Sequence, residues 1–366
     1  MQSVMRSIVI KCIHLIPRDG LGGVEAAARS CVENASDNKD IDFKLMLLER
    51  NAYLLQQSIH NHNRVIASRF KSINNPLAYI SALFKLIVEK PSVLVCSLWR
   101  TMPIGIIYKL LFPNVKFVCF LHSAKYAHFV DKILSHLGMF FADGIYTDSG
   151  KTLSSRVPVK FHQCKRLRIV SFVLQKVDVR SLPNNSPVFV SWGRLNLRKG
   201  IDRALHVFAH ILGKRPDAVF YIYGPDGGEE SKLRNLAVEL NISASVMFLG
   251  KTRFEEIKEI ATKFSYYLQL SRDEGMSISV VEAMQLGLVP IVTPVGEIGN
   301  YCKDGINAIV VNDFDGIVER VIAVLEDDSK YTAMQKHCVA HWQNVPLYND
   351  DFRAAVAELD CNSSKQ

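Results

Sequence analysis

Short apolar runs and stretches of helical period alternate along almost the whole 366-residue chain. In the first half, Ser7–Leu15, Asp42–Leu48, Ser92–Leu98, Lys116–Leu121 and Ala142–Thr147 are brief, rich in β-branched and aromatic residues, and bounded by turn residues. That pattern predicts strands. The second half repeats it at Pro187–Ser191, Ala218–Tyr223, Ser245–Leu249, Tyr266–Leu270, Val289–Val292 and Ala308–Val311. Helical periods fall between the strands, at Leu77–Val88, from about Ser277 to Leu286, and at Ile317–Leu325. Alternating strands and helices predict parallel sheets covered on both faces, hence an α/β fold of two doubly wound domains facing across a cleft. The turn-forming segment Ser181–Pro187 has no periodicity, and it sets the expected boundary. The expected domains are 1–182 and 187–345, with 346–366 forming a last helix and tail.

The most informative stretch is Tyr266–Val295: a strand, an acidic turn with Glu274 and Gly275, a helix, and a second strand. Gly287 is a suitable helix stop. The helix would open at Gly275, Met276 and Ser277, where free amides and the positive dipole end can hold a phosphate or sugar oxygen. Glu282 is the odd residue, because Val280, Val281, Ala283 and Met284 around it are apolar. Helical side chains lean toward the N-terminus, so its carboxylate would point back at such a ligand from about 5 to 8 Å away, a distance suited to ribose hydroxyls. The plainer alternative is a capping acid at 274 and a surface acid at 282.

Other strand ends carry comparable residues. Gly20, Gly22 and Gly23 follow the first strand and precede a helix near Val24, the geometry of a phosphate cradle. As a dinucleotide fingerprint the turn is defective, with Glu25 where a third glycine belongs, so a plain loop is an equal reading. His122 closes the strand Lys116–Leu121 and is a candidate ligand contact or a structural histidine. Arg194, Arg198 and Lys199 lie between a strand end and a helix start, apt for a diphosphate, or else a solvated basic loop. Gly224 and Gly250 close two further strands with tight turns. Asp313-Phe314-Asp315 has the form of a metal-binding acidic pair, but a capping role explains it more cheaply, and no metal is expected.

Composition narrows the class. The chain is 48% hydrophobic and 22% charged, ordinary for a globular protein. Its eight cysteines are scattered, with no C-x-x-C pair, which points to reduced, buried thiols in the cytoplasm. The N-terminal apolar stretch is broken by Lys11 and reads as a strand, and no later stretch is long enough to cross a membrane. Charge is uneven: residues 1–180 hold 25 Lys+Arg against 12 Asp+Glu, while the rest holds 19 against 24. No nucleic-acid motif accompanies the basic half, so an anionic membrane surface or an acidic acceptor is the expected partner, with an incidental basic surface as the alternative.

Four elements in order resemble the retaining glycosyltransferases of family 4, which have the GT-B fold of two Rossmann-like domains. These are G-G-V-E at 22–25, G-R-L-x-x-x-K-G at 193–200, Y-G-P-D-G-G at 223–228, and E-x7-E from Glu274 to Glu282 followed by E-A-M-x-x-G. The resemblance implies that Arg194 and Lys199 hold a donor diphosphate and Glu282 the ribose hydroxyls. Glu274 and the amides of Gly275, Met276 and Ser277 would face the donor sugar. Gly22, Gly23, Gly224 and Gly250 would approach the nucleotide, and His122 would contact the transferred sugar, although H-S stands here where H-D is commoner. The implied activity is transfer from a UDP- or GDP-sugar to a glycan or lipid-linked acceptor in surface polysaccharide or lipopolysaccharide synthesis, without a further cofactor. The implied place is the cytoplasm, at the inner face of the membrane. Rival readings are an epimerase or hydrolase on the same fold, a non-catalytic sugar-nucleotide-binding subunit, and an NAD-dependent oxidoreductase, which the missing third glycine disfavours.

Overall fold

The computed structural model describes residues 9–20, 22–33, 40–50, 62–163, 165–178 and 181–361. Residues 7 and 8 of the expected first strand lie outside that set, as does Cys164. The chain divides into two compact units, Met1–Gln175 with Pro346–Gln366, and Lys176–Val345.

The described residues of the first unit form seven strands: β1 Ile10–Ile16, β2 Ile41–Leu47, β3 Val65–Ala67, β4 Val93–Ser97, β5 Lys116–Leu121, β6 Gly144–Thr147 and β7 Arg166–Ile169. They pair in the order β3-β2-β1-β4-β5-β6-β7, and every pairing is parallel. The central strands are apolar without alternation because both faces are covered, as in Val93–Ser97, where every residue is buried. The sequence pattern missed β3, with three residues, and β7, whose Arg166 and Arg168 break the apolar run. Both are edge strands, where one-sided burial leaves little hydrophobic signal.

Chain direction along the sheet fixes which face each helix covers. The steps β1 to β2 to β3 run one way and β3 to β4 to β5 to β6 the other, so right-handed crossovers put their helices on opposite faces. One face takes Gly23–Glu33, against which the last helix, Tyr348–Cys361, packs. The other takes Pro76–Glu89, Met102–Leu111 and Phe129–Phe141, which contact one another in that order.

The last helix is fastened to the first sheet at several points. Tyr146 donates its hydroxyl to the Ala355 carbonyl at 2.6 Å. Asp351 takes Arg168 at 2.6 Å and the Ser171 amide at 2.7 Å. Phe352 is fully buried and stacks on His14, with centroids 5.3 Å apart, and on Tyr348 at 5.5 Å.

In the second unit β8 Val188–Trp192, β9 Val219–Tyr223, β10 Val246–Phe248, β11 Tyr266–Gln269, β12 Val289–Val292 and β13 Ile309–Val310 pair in the order β10-β9-β8-β11-β12-β13, all parallel. The order reverses between β8 and β11, the switch point where open α/β sheets bind ligands at their carboxyl ends. The turn-rich segment before β8 belongs to this unit too: the Asn185 amide reaches the carbonyls of Val324 and Leu325, at the end of the helix Ile317–Leu325, each at 3.1 Å. Gly287 has φ +77° and stops the helix Ile278–Gln285, as its left-handed backbone requires.

Truncating Phe352→Ala should destabilise the first unit by about 3–5 kcal/mol, since the ring is buried among four aromatic neighbours. Urea unfolding would measure it, and a loss below about 1 kcal/mol would show that the last helix contributes little to this unit.

Candidate functional site

At the switch point the turns after β8 and β11 meet around one carboxylate. Glu274 is buried, and its Oε1 accepts from Lys199 Nζ at 2.8 Å, Ser271 Oγ at 2.9 Å and Gln269 Nε2 at 3.2 Å. Gln269 is itself fully buried, and its amide NH2 also faces the hydroxyls of Ser271 and Ser277, at 3.0 and 3.1 Å. Its carbonyl end accepts from Tyr267 at 2.6 Å and Ser279 at 3.1 Å. A buried amide flanked by acceptors on one end and hydroxyl donors on the other has its orientation fixed. The network thereby holds Glu274 in one place without bulk water.

Glycines let the backbone close around this carboxylate. Gly200 (φ +64°) lies so near the Leu270 carbonyl that a Cβ would overlap it, and Gly296 (φ +60°) lies as near the carbonyl of Glu274. Gly224 (φ +152°) sits against the carbonyl of Gly193, and its amide donates to Gly250 at 2.6 Å. Gly224 and Gly250 thus hold the ends of three neighbouring strands together.

The helix start has its carbonyls occupied and its amides turned elsewhere. Gly275 O accepts from the Glu297 amide at 2.9 Å, and Met276 O from the Tyr301 hydroxyl at 2.7 Å. Ser277 takes φ 56°, a left-handed conformation unusual for a residue with a Cβ. Among the described residues nothing accepts from the amides of Gly275, Met276 or Ser277, so they form a concavity able to bind an anion or a sugar oxygen.

Two cations differ from the third in this loop. Arg198 is drawn to Asp273 at 3.1 Å, whereas Lys199 passes over Gly193 to Glu274. Arg194 is exposed, and no described carboxylate pairs with it. Arg272 clamps the two turns through Asp202, at 2.7 and 2.5 Å.

Glu282 projects from the middle of the helix Ile278–Gln285, and its Oε2 accepts from the Trp192 indole at 2.8 Å. Burial pushes its carboxyl up to about 7, more than the indole hydrogen bond lowers it. The group therefore exchanges its proton near neutrality, and a ligand offering hydroxyl donors would favour the ionised form.

In the first unit His122 is buried at the carboxyl end of β5. Its Nε2 lies 2.8 Å from Ser97 Oγ, which lies 2.7 Å from His14 Nε2. Burial lowers both imidazoles, His14 to about 3, so both are neutral at pH 7. The serine has one proton and cannot donate to both rings, so at least one Nε2 carries a proton and donates to Ser97 Oγ. Both Nδ1 atoms are buried, with no hydrogen-bond partner among the described residues. The glycine turn after β1 is less open than its sequence indicates. The Glu25 carboxylate folds back so that a Cβ at Gly22 would overlap it, and an anion reaching Gly22 would meet this carboxylate first.

Residues 175–338, nearly all of the second unit, match the family model "Glycosyl transferases group 1". Over 95% of the chain the fold superposes on the whole of Anabaena Alr3699/HepE, solved in complex with UDP and glucose, with TM-score 0.75 at 15% identity. The chain has the GT-B fold. An uncharacterized glycosyltransferase of Haemophilus influenzae is 33% identical over 40% of this chain and 38% of its own length. A GDP-mannose:cellobiosyl-diphosphopolyprenol alpha-mannosyltransferase of Xanthomonas oryzae is 25% identical over 52% of this chain and 53% of its own. The chain thus spans about half or less of the length of these two relatives.

In this GT-B chain Arg194, Lys199, Glu274, Glu282, Gly224, Gly250 and residues 275–277 gather at the carboxyl edge of the second sheet, while Gly22, Gly23 and His122 occupy that edge of the first. Sequence reasoning passed over Gln269, Trp192, Ser97 and His14. A glutamine or histidine at an inward position of an apolar strand was the available signal. Asp313 Oδ1 accepts from the Asp315 amide at 3.1 Å, a local turn.

Trp192 reports on Glu282. Its fluorescence should titrate with a midpoint near pH 7, the indole hydrogen bond strengthening as pH rises and the carboxylate forms, and Glu282→Gln should abolish the step. A flat profile between pH 5 and 9 in the wild type would place this carboxyl outside the neutral range.

Proposed function

We propose that this chain is a retaining glycosyltransferase of family 4 that moves a hexose from a UDP- or GDP-sugar to a hydroxyl of a glycan or lipid-linked acceptor. The observation that carries the reading is the pairing of buried Glu274 with half-buried Lys199 beside three free amides, with Glu282 on the helix that follows. In this reading the amides of Gly275, Met276 and Ser277 and the side chains of Lys199 and Arg194 bind the diphosphate, and Glu282 accepts from both ribose hydroxyls. Glu274 fixes Lys199 and faces the sugar, and His122 offers a neutral imidazole nitrogen at the carboxyl edge of the first sheet. The bond from the anomeric carbon to the diphosphate oxygen breaks as the acceptor oxygen bonds on the same face. The acceptor proton passes to the leaving phosphate. Catalysis is positioning and stabilisation of the departing negative charge.

The UDP and glucose named for the Anabaena protein and the diphosphopolyprenol named for the Xanthomonas enzyme support the donor and acceptor classes proposed. We place the reaction in the cytoplasm, where nucleotide sugars are made and where free, buried thiols such as Cys96, Cys119 and Cys338 stay reduced.

Thermal unfolding with a panel of nucleotide sugars is the direct test. The true donor at about 100 times its Kd should add about 2.7 kcal/mol of stability, and no response to any UDP- or GDP-sugar would defeat the assignment. Arg194→Ala and Lys199→Ala should each weaken donor binding by about 1.5–3 kcal/mol. Glu282→Gln should act chiefly on donor affinity and Glu274→Gln on turnover; if both raised only KM, Glu274 would have no part in the chemical step.

A further inference from the structure

Three helices of the first unit present an outer surface of unusual composition. On Pro76–Glu89, Met102–Leu111 and Phe129–Phe141, fourteen positions are exposed, and thirteen of them are apolar, Lys132 being the exception. On the first helix Leu77, Ile80, Phe84 and Val88 make one stripe, the i, i+3, i+7, i+11 spacing that would ordinarily face a core. Phe84, Phe129 and Phe140 are 66%, 74% and 62% exposed. At roughly 150–250 Å² per aromatic side chain, these three alone leave on the order of 400 Å² uncovered, already the size of the largest apolar patch on a typical soluble monomer. The remaining aliphatic side chains extend it. All three helices lie on the same sheet face and touch in sequence, so the patch is continuous.

Charge identifies the partner. Between residues 69 and 132 the chain carries nine Lys or Arg and two acids, Glu89 and the buried Asp131. Glu89 is paired with Lys44, and Asp131 with Arg156. Exposed cations stand at the helix ends: Arg69 and Lys71 before the first helix, Lys90 after it, and Lys125 before the third. A second copy docked face to face would bring these cations against their own kind. An anionic lipid surface offers hydrocarbon to the apolar side chains and headgroup phosphates to the rim. No described helix is long and apolar enough to cross a membrane, so contact would be interfacial.

We propose that the face formed by Pro76–Glu89, Met102–Leu111 and Phe129–Phe141 inserts its apolar side chains into an anionic lipid surface. The inference does not depend on the reading of the second unit's site. Apolar insertion also separates it from simple charge attraction, because only the latter is screened by salt.

The test is flotation of the full chain with phosphatidylcholine vesicles, with and without phosphatidylglycerol, at low salt and at about 0.5 M salt. The wild type should float with the anionic vesicles and keep part of that binding at high salt. Phe84→Ser/Phe129→Ser/Phe140→Ser should lose at least about tenfold in binding while keeping a cooperative urea-unfolding transition like that of the wild type. Phe84→Trp should gain quenching by brominated lipid beyond that of the wild type, which tests insertion even if the triple variant is poorly behaved. Absence of flotation, binding abolished entirely by salt, or quenching in the Phe84→Trp variant no greater than in the wild type overturns the proposal. So does a wild-type dimer that the triple substitution converts to monomer.

Discussion

A carboxylate held out of water needs partners, and the second unit is built around that requirement at Glu274. With Lys199, Ser271 and Gln269 all on one oxygen, the charge is compensated inside the fold. Removing any partner would leave part of it unpaired, which costs far more than the pair itself contributes. The glycines follow from the same need. Gly200 and Gly296 are the positions at which neighbouring turns close on the acidic loop, and a side chain at either would push the carboxylate and its partners apart. Ser277 takes a left-handed conformation at the same loop, so the local strain is concentrated where the free amides emerge.

This explains which parts of the site could be read from sequence. Glu274, Lys199 and the helix start were legible because each is a polar residue at a strand-to-helix turn, where the doubly wound pattern already predicts a ligand edge. Gln269 and Trp192 were not, because inside a strand they look like members of the apolar run. Only their hydrogen bonds, to Glu274 and Glu282, distinguish them. The strands of both sheets were legible from β-branched and aromatic runs, often to within a residue: Lys116–Leu121 and Val289–Val292 match their expected bounds. In the missed β7, Arg168 pairs with the carboxylates of Asp351 and Glu358 and Arg166 donates to the Glu358 carbonyl, all from the last helix far along the chain. Such long-range pairing leaves no local periodicity to detect.

The first unit resolves a different problem. Its sheet edge holds two neutral histidines joined through one serine, a polar chain in an aromatic setting of Phe120, Phe172 and Phe352. Neutrality follows from burial, and it makes His122 a hydrogen-bonding group rather than a charge. In the second unit the carboxyl edge of the sheet carries cations instead, at Lys199 and Arg194.

The apolar helices of the first unit show why composition averaged over a domain misleads. Each helix has the period of an ordinary amphipathic segment, and its inward positions, such as Ala78, Ala82 and Leu86, are buried as that period requires. What departs from the ordinary is the opposite face, where water-facing positions should carry charge and carry Leu, Ile and Phe instead. The exposed cations Arg69, Lys71, Lys90 and Lys125 stand at the helix ends, while the exposed positions of the three helices between them carry one charge, Lys132. Exposed apolar surface costs about 25 cal/mol for each Å² left in water, and a fold that keeps so much of it uncovered is complete only against a partner that covers it.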